Sequence, residues 1–309
     1  MATIVLVHGI AQEQRSADSL EAQWIPALAG GVRSSGNPAL ADRLWRNGRP
    51  GDIDVRMAYY GNKFLDEGAQ GASPMVGLNE AALELAEELA KTWLETAAQC
   101  AGDDRDRCEA QNQLHVLTRG NTGAMGPKAT LRPAINGLAR LRWFAPFGVG
   151  LAGRFVWRAL AQVSRYLTDD ETRAYAQQQV LERIGVDTRL VIGHSLGSVV
   201  AYEALHQADH PTALLTLGSP LGLRTVVYDR LRPHPAHVPP TVTRWDNLVD
   251  RDDLVAAQLD LAPYFPPAAG STIAPVTASS LDNGAEPHDA EHYLNKKTTG
   301  RIIGAAVIS

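Results

Sequence analysis

The sequence predicts an α/β protein with a mostly parallel central sheet flanked by helices, and three observations carry that expectation. Short, almost wholly apolar runs recur along the chain, such as Ile4-Val5-Leu6-Val7 and Leu190-Val191-Ile192, as strands buried on both faces require. Between them stand segments whose apolar residues repeat at helical spacing, the alternation that builds crossover connections. Hydrophobic residues make up 45 % of the 309 residues, enough for a sizeable core and too many for a disordered chain.

Taken in order, Thr3 to Val7 is the first strand, and it ends in His8-Gly9. A helix follows over Leu20 to Val32, with Leu20, Trp24, Ala27, Leu28 and Val32 on one face by helical periodicity. Ile53 to Tyr60 is the second strand and Thr188 to Gly193 the third, which feeds a helix over Ser198 to His206. Ala213 to Leu217 and Thr241 to Trp245 come next. Ser271 to Thr277 is the last strand, and Pro275 confines it to an edge or a bulge because proline cannot donate to a ladder. From His288 a closing helix runs to near Gly300, with a short apolar tail after it.

The stretch from Gly61 to Asp187 breaks this rhythm. A parallel crossover needs only about a dozen residues, so the excess is expected to be an all-helical insertion, with residues 61–185 set into a core of 1–60 and 186–309. It opens with an amphipathic helix over Leu78 to Ala98, with Leu83, Leu85, Leu89 and Trp93 opposite Glu80, Glu84, Glu87, Glu88 and Lys91. A loop broken by glycine and proline is expected from Arg119 to Pro133, then an arginine- and aromatic-rich segment from Leu138 to Tyr166, then a helix starting at Asp169-Asp170-Glu171.

Composition narrows the function classes. With 29 Lys+Arg against 34 Asp+Glu, the chain offers no field that attracts phosphates, which argues against nucleic acid as a partner. Its two cysteines, Cys100 and Cys108, are too few for a disulfide scaffold, and reduced thiols are expected. Ile4 to Val7 is shorter than a signal-peptide core and has no basic residue ahead of it, and the most apolar stretch, Phe144 to Val163, is interrupted by Arg154 and Arg158. A transmembrane span needs about 20 apolar residues, so a soluble, cytoplasmic protein is expected.

Gly193-His194-Ser195-Leu196-Gly197 is a G-x-S-x-G sequence. Leu190-Val191-Ile192 before it and Val199-Val200-Ala201 after it give the strand-to-helix context in which a serine on a sharp turn becomes a nucleophile. A serine needs a base to take its proton and an acid to orient that base. After the strand ending at Trp245, Asp246, Asp250, Asp252 and Asp253 compete for the acid; for the base, the candidates are His288 and His292. At spacing i, i+4 those two histidines could also share a helical face and hold a metal, but a metal site needs at least one further ligand and no second His/Cys/Glu cluster is visible in the sequence, so no metal is expected. Donors for a developing oxyanion are expected from the backbone N–H of Leu196 and of Ile10, with Gly9 allowing a sharp turn before it. Ser219, in Gly218-Ser219-Pro220-Leu221-Gly222, reads as part of a turn and is expected to be dispensable.

Together these residues resemble the α/β-hydrolase fold superfamily, specifically its lipase- and esterase-like serine hydrolases. The likeness rests on Val7-His8-Gly9-Ile10, the Ser195 elbow, Leu217 to Gly222, the acid loop Asn247 to Val255 and the late segment His288 to Leu294. It covers residues 1–60 and 186–309. Such enzymes often place the acid just ahead of an x-Val pair and the histidine several residues before a Tyr-Leu, so the resemblance implies Ser195, Asp253 and His288 as the catalytic set. It also implies the α/β-hydrolase fold, here without the usual leading antiparallel hairpin and with the insertion standing where a cap would.

The function so implied is cofactor-independent cleavage of carboxylic esters through an acyl-enzyme. Thioesters, amides or lipids would use the same chemistry, and a non-catalytic binding module could keep the same fold. Trp143, Phe144, Phe147, Leu151, Phe155, Val156, Trp157, Leu160 and Val163 crowd one stretch of the insertion, with Arg154, Arg158 and Arg165 spaced by four and seven. They could pack the insertion, roof an apolar acyl pocket, or touch a membrane surface through residues 138–166.

Overall fold

The computed structural model describes residues 1–65, 78–120, 127–141, 149–256 and 258–308. The chain divides into two compact units, residues 1–63 with 173–309, and residues 64–172.

The first unit is an α/β fold. Its sheet contains β1 (Ile4–Val7), β4 (Val55–Ala58), β5 (Leu190–His194), β6 (Thr212–Leu217), β7 (Val242–Asp250) and β8 (Pro275–Leu281). They lie in the order β4-β1-β5-β6-β7-β8, and every neighbouring pair is parallel. The central strands β1, β5 and β6 are buried along their whole length, which explains why they read as continuous apolar runs. Alternate residues serve the two faces. Ile4, Leu6, Val55, Met57, Leu190, Ile192 and Leu215 join Leu20, Trp24, Leu28 and Val32 of α1 (Ala17–Ser34) in one core, together with Leu40 and Leu44 of α2 (Pro38–Leu44). The same core takes in Tyr293 and Leu294 of α9 (Ala290–Leu294) and Ile302 and Ile303 of α10 (Lys297–Ile308). Helix α8 (Leu196–Leu205), buried throughout, packs on β1, β5 and β6. Arg173 of α7 (Asp170–Leu181) reaches Glu203 of α8 at 3.6 Å, and both side chains are buried. A two-residue hairpin, β2 (Trp45–Arg46) and β3 (Arg49–Pro50), stands apart from the sheet.

Connectivity creates the crevice. From β1 the chain departs through α1 and α2 to β4, whereas from its neighbour β5 it departs through α8 to β6 on the other side. Parallel sheets bind ligands beyond the carboxyl ends of strands that diverge in this way, and His8-Gly9 and Ser195 both lie there.

Several element boundaries differ from the sequence reading. Strand β7 continues five residues past Trp245 to Asp250, because its polar residues are satisfied inside the sheet: Arg244 grips Asp246, and Asn247 Oδ1 accepts from Thr216 Oγ1 at 2.8 Å. Strand β8 starts at Pro275 and runs to Leu281 rather than over Ser271 to Thr277; it is one of the two edge strands and Pro275 is its first residue. The closing helix is two helices, and Gly300 lies inside the second instead of ending it. A Cβ on Gly300 would run into the Gly31 carbonyl of α1, so this glycine serves the close approach of two helices.

The second unit is helical. α3 (Glu80–Cys100) packs against α4 (Asp104–Gly120), α5 (Pro127–Leu138) and α6 (Val149–Thr168). Its buried stripe is Ala82, Leu85, Ala86, Leu89, Ala90, Trp93, Leu94 and Ala97, with Leu83 half-buried at the margin. The loop expected from Arg119 to Pro133 is helical from Pro127 onward, since Leu131, Ala134, Ile135 and Leu138 all bury their side chains and this offsets the bond lost at Pro133. On α6, Val156, Leu160 and Val163 are buried, Phe155 and Trp157 half-buried, and Arg154 and Arg158 exposed. Trp143, Phe144 and Phe147 lie outside the described residues, as does the side chain of Leu151. Asp169 accepts from the N–H groups of Glu171 and Thr172 at the start of α7. Cys100 and Cys108 are exposed and unbridged. Among the described residues, no helix is long and apolar enough to cross a membrane.

Candidate active site

The sequence-predicted residues come from loops at the carboxyl ends of the strands: Gly9 and Ile10 after β1, Ser195 after β5, Asp253 after β7 and His288 after β8; Gly218, which the sequence does not single out, follows β6. Ser195 sits at φ 55°, ψ −131°, a conformation in which an L-residue is strained by about 1–3 kcal/mol. Although it is the N-cap of α8, its side chain caps nothing. Its Oγ instead lies 2.9 Å from His288 Nε2. On the other side of the ring, His288 Nδ1 lies 2.8 Å from Asp253 Oδ2. Ser195 is 3 % exposed and Asp253 is likewise 3 % exposed.

The competing candidates do other work. Asp250 ends β7, and its carboxylate accepts from the N–H of Asp252 at 2.9 Å and from the N–H of Asn283, which ties the acid loop to the loop carrying His288. Burial raises the pKa of Asp250 above the usual carboxylate value. Asp246 pairs with Arg244, and Asp252 is half-buried. His292 lies in α9 and is exposed, whereas His288 precedes that helix, so the two do not share a helical face.

Backbone donors stand beside the serine. Neither the Leu196 nor the Ile10 N–H has a hydrogen-bond partner among the described residues; for Leu196, the first residue of α8, the open N–H is what a helix start leaves. Gly9 must be a glycine: a Cβ there would sit 2.7 Å from Ser195 Cβ and 3.3 Å from Ser195 Oγ. Ala11 lies at φ 59°, so two of the strained non-glycine residues fall in this crevice. Ser219 is buried, and its hydroxyl lies 2.6 Å from Ser198 Oγ, which bonds the Ser195 carbonyl at 2.6 Å; it is part of the support under the elbow as well as part of a turn.

Two further histidines are locked neutral. His8 Nδ1–H donates to Gly9 O at 2.7 Å, while Nε2 accepts from the Tyr60 N–H at 3.1 Å. Complete burial pushes its pKa down to about 4, against the opposing pull of the bond to Gly9 O. His194 Nε2–H donates to the His288 carbonyl at 2.8 Å, its ring 4.7 Å from the His288 ring. Burial first, and the neighbouring His288 second, hold its pKa well below 6.5. His206, at the end of α8, is also pushed down to about 4 by burial.

These shifts fix a stability profile. A histidine whose folded pKa lies below its unfolded value takes up a proton more readily when unfolded, so stability is full above about pH 6.5 and falls as pH drops toward 4. For His8 alone the shift corresponds to about 3 kcal/mol. Asp250, shifted upward, acts in the opposite sense over the carboxylate range. Urea unfolding at pH 7 and pH 4.5 is expected to show a marked loss of stability at the lower pH, and His206→Phe is expected to lose less over the same interval. Equal stability at the two pH values would refute the buried neutral state.

The site residues that sequence reasoning missed are Tyr293, His194, His8, Gly218 and Asn283. The sequence signal for them was limited to their neighbourhood: each adjoins a motif residue or its loop. Comparison with known proteins returns nothing for this chain: no protein-family model, no curated protein and no solved structure matches it.

Proposed function

We propose that this protein is a serine hydrolase that cleaves carboxylic esters through an acyl-enzyme. One observation carries the reading: an unbroken hydrogen-bond chain from Ser195 Oγ through His288 to Asp253, starting at a strained strand-to-helix turn. Serine is a weak nucleophile until a base takes its proton, and a histidine is an effective base only when its tautomer is fixed. Asp253 fixes it, by accepting from Nδ1 and leaving Nε2 toward the serine.

In the proposed reaction Ser195 Oγ bonds to the carbonyl carbon while its proton passes to His288 Nε2. The carbonyl π pair moves onto oxygen, where the N–H groups of Leu196 and Ile10 are suited to receive it. Collapse of that adduct breaks the bond to the alcohol, which takes the proton from His288 and leaves. Water then repeats the sequence on the acyl-serine, releasing the acid and restoring Ser195. An apolar acyl group is proposed on the strength of the crowded aromatic residues between 143 and 163.

A panel of p-nitrophenyl esters from acetate to dodecanoate tests this. A burst of p-nitrophenolate equal to the protein present, then slower turnover, is expected, with medium or long chains preferred. No turnover above buffer would remove the ester reading. If acetate were best, only the apolar acyl part would fall.

A further inference from the structure

Tyr293 is fully buried in α9, and its hydroxyl makes two bonds: it accepts from the Asp250 N–H at 2.8 Å and lies 2.9 Å from Asp253 Oδ2. A backbone N–H can only donate, so the phenolic proton is the one directed at Asp253. That same Oδ2 accepts from His288 Nδ1, while Oδ1 accepts from the Val255 N–H at 3.0 Å. The acid is thus pinned from three sides in a buried position. The three groups also close around one point, since a Cβ on Gly218 would meet Asp253 Oδ2 at 2.6 Å, His288 Nδ1 at 3.0 Å and the Tyr293 ring at 3.2 Å.

We propose that Tyr293 is a positioning residue that aims the Asp253 carboxylate at His288 and draws charge away from the oxygen the two share. The inference rests on the hydrolase reading for its kinetic consequences only; the hydrogen-bond geometry stands without it. The bond also separates the roles of the two aspartates. Asp250 gives its N–H to the tyrosine and its carboxylate to the loop backbone, which leaves Asp253 to face the histidine.

The sign of the effect follows. A phenol that donates to a carboxylate weakens that carboxylate's hold on a facing imidazolium. Removing it leaves Asp253 a stronger acceptor for Nδ1–H but a less well held one. Among the described residues, the titratable groups that face His288 include Asp253 from the loop after β7, Tyr293 from α9 and His194 from β5, with His8 behind His194 and Asp250 behind Tyr293. Of these, only Tyr293 changes in a Tyr293→Phe protein.

Tyr293→Phe keeps the ring and is expected to lower kcat about tenfold with KM unchanged. The acidic limb of kcat/KM against pH is expected to move up by about half a unit. A second readout needs no substrate: the low-field proton NMR resonance of the hydrogen shared by His288 Nδ1 and Asp253 is expected to move further downfield. An unchanged resonance, or an unchanged kcat and pH limb with only a lower melting temperature, would make Tyr293 a packing residue and overturn the proposal. Wild-type protein run in parallel separates the two ideas: if it turns over no ester, the hydrolase reading fails, and the resonance alone still decides the role of Tyr293.

Discussion

Ser195→Ala is expected to lower kcat for ester hydrolysis by about four to six orders of magnitude, because members of a nucleophile–base–acid set fail as a unit. His288→Ala should cost nearly as much, and His292→Ala little, since only His288 reaches the serine. Asp253→Asn should exceed Asp250→Asn in its effect on kcat, because an amide can neither hold the same tautomer nor stabilise the imidazolium. Asp250→Asn should instead lower the melting temperature, through the backbone bonds that join the two loops. Ser195→Gly adds a control on the strain: at φ 55° glycine pays no steric penalty, so activity is lost while stability rises by about 1 kcal/mol. Kinetics on folded, purified variants check the ranking. A Ser195→Ala protein with more than a few per cent of wild-type activity, or His292→Ala more damaging than His288→Ala, would refute it.

Gly218→Ala is the second large effect. Gly218 lies at φ +52°, where an alanine is strained by about 1–2 kcal/mol. Its methyl group would also enter the space between Asp253 Oδ2 and His288 Nδ1, at 2.6 and 3.0 Å. Both partners are held from other directions, so relief must come from moving the acid or the base. A shift of about 1 Å at a reacting group costs about a hundredfold in rate, and that loss is expected in kcat at a temperature where the variant is fully folded. Activity within threefold of wild type would mean that this contact does not set the alignment.

How much of this was legible in sequence depended on the range of the cause. β1, β5 and β6 were legible because a strand buried on both faces admits almost only apolar residues. β7 was read short because Asp246, Asn247 and Asp250 look like a turn; their partners Arg244, Thr216 and Asn283 make them strand residues. The hairpin β2–β3 did carry a local signal in Asn47-Gly48, whose φ values of 52° and 76° are those of a tight two-residue turn. The sharp turn from β5 into α8 at Ser195 was legible as one continuous motif. Tyr293, His194 and Gly218 were not, since each acts through partners 35 to 94 residues distant or through a φ no sequence prints. For example, the His194 to His288 bond spans 94 residues.

An activated fluorophosphonate probe offers the most direct measurement, because it bonds only to a serine whose proton a neighbouring base removes. Intact-mass analysis of the wild-type protein is expected to show one adduct per chain, mapped by peptide sequencing to Ser195. The adduct should be missing from Ser195→Ala and slowed by several orders of magnitude in His288→Ala. A folded wild-type protein that stays unlabelled, or labels elsewhere, would contradict an activated Ser195.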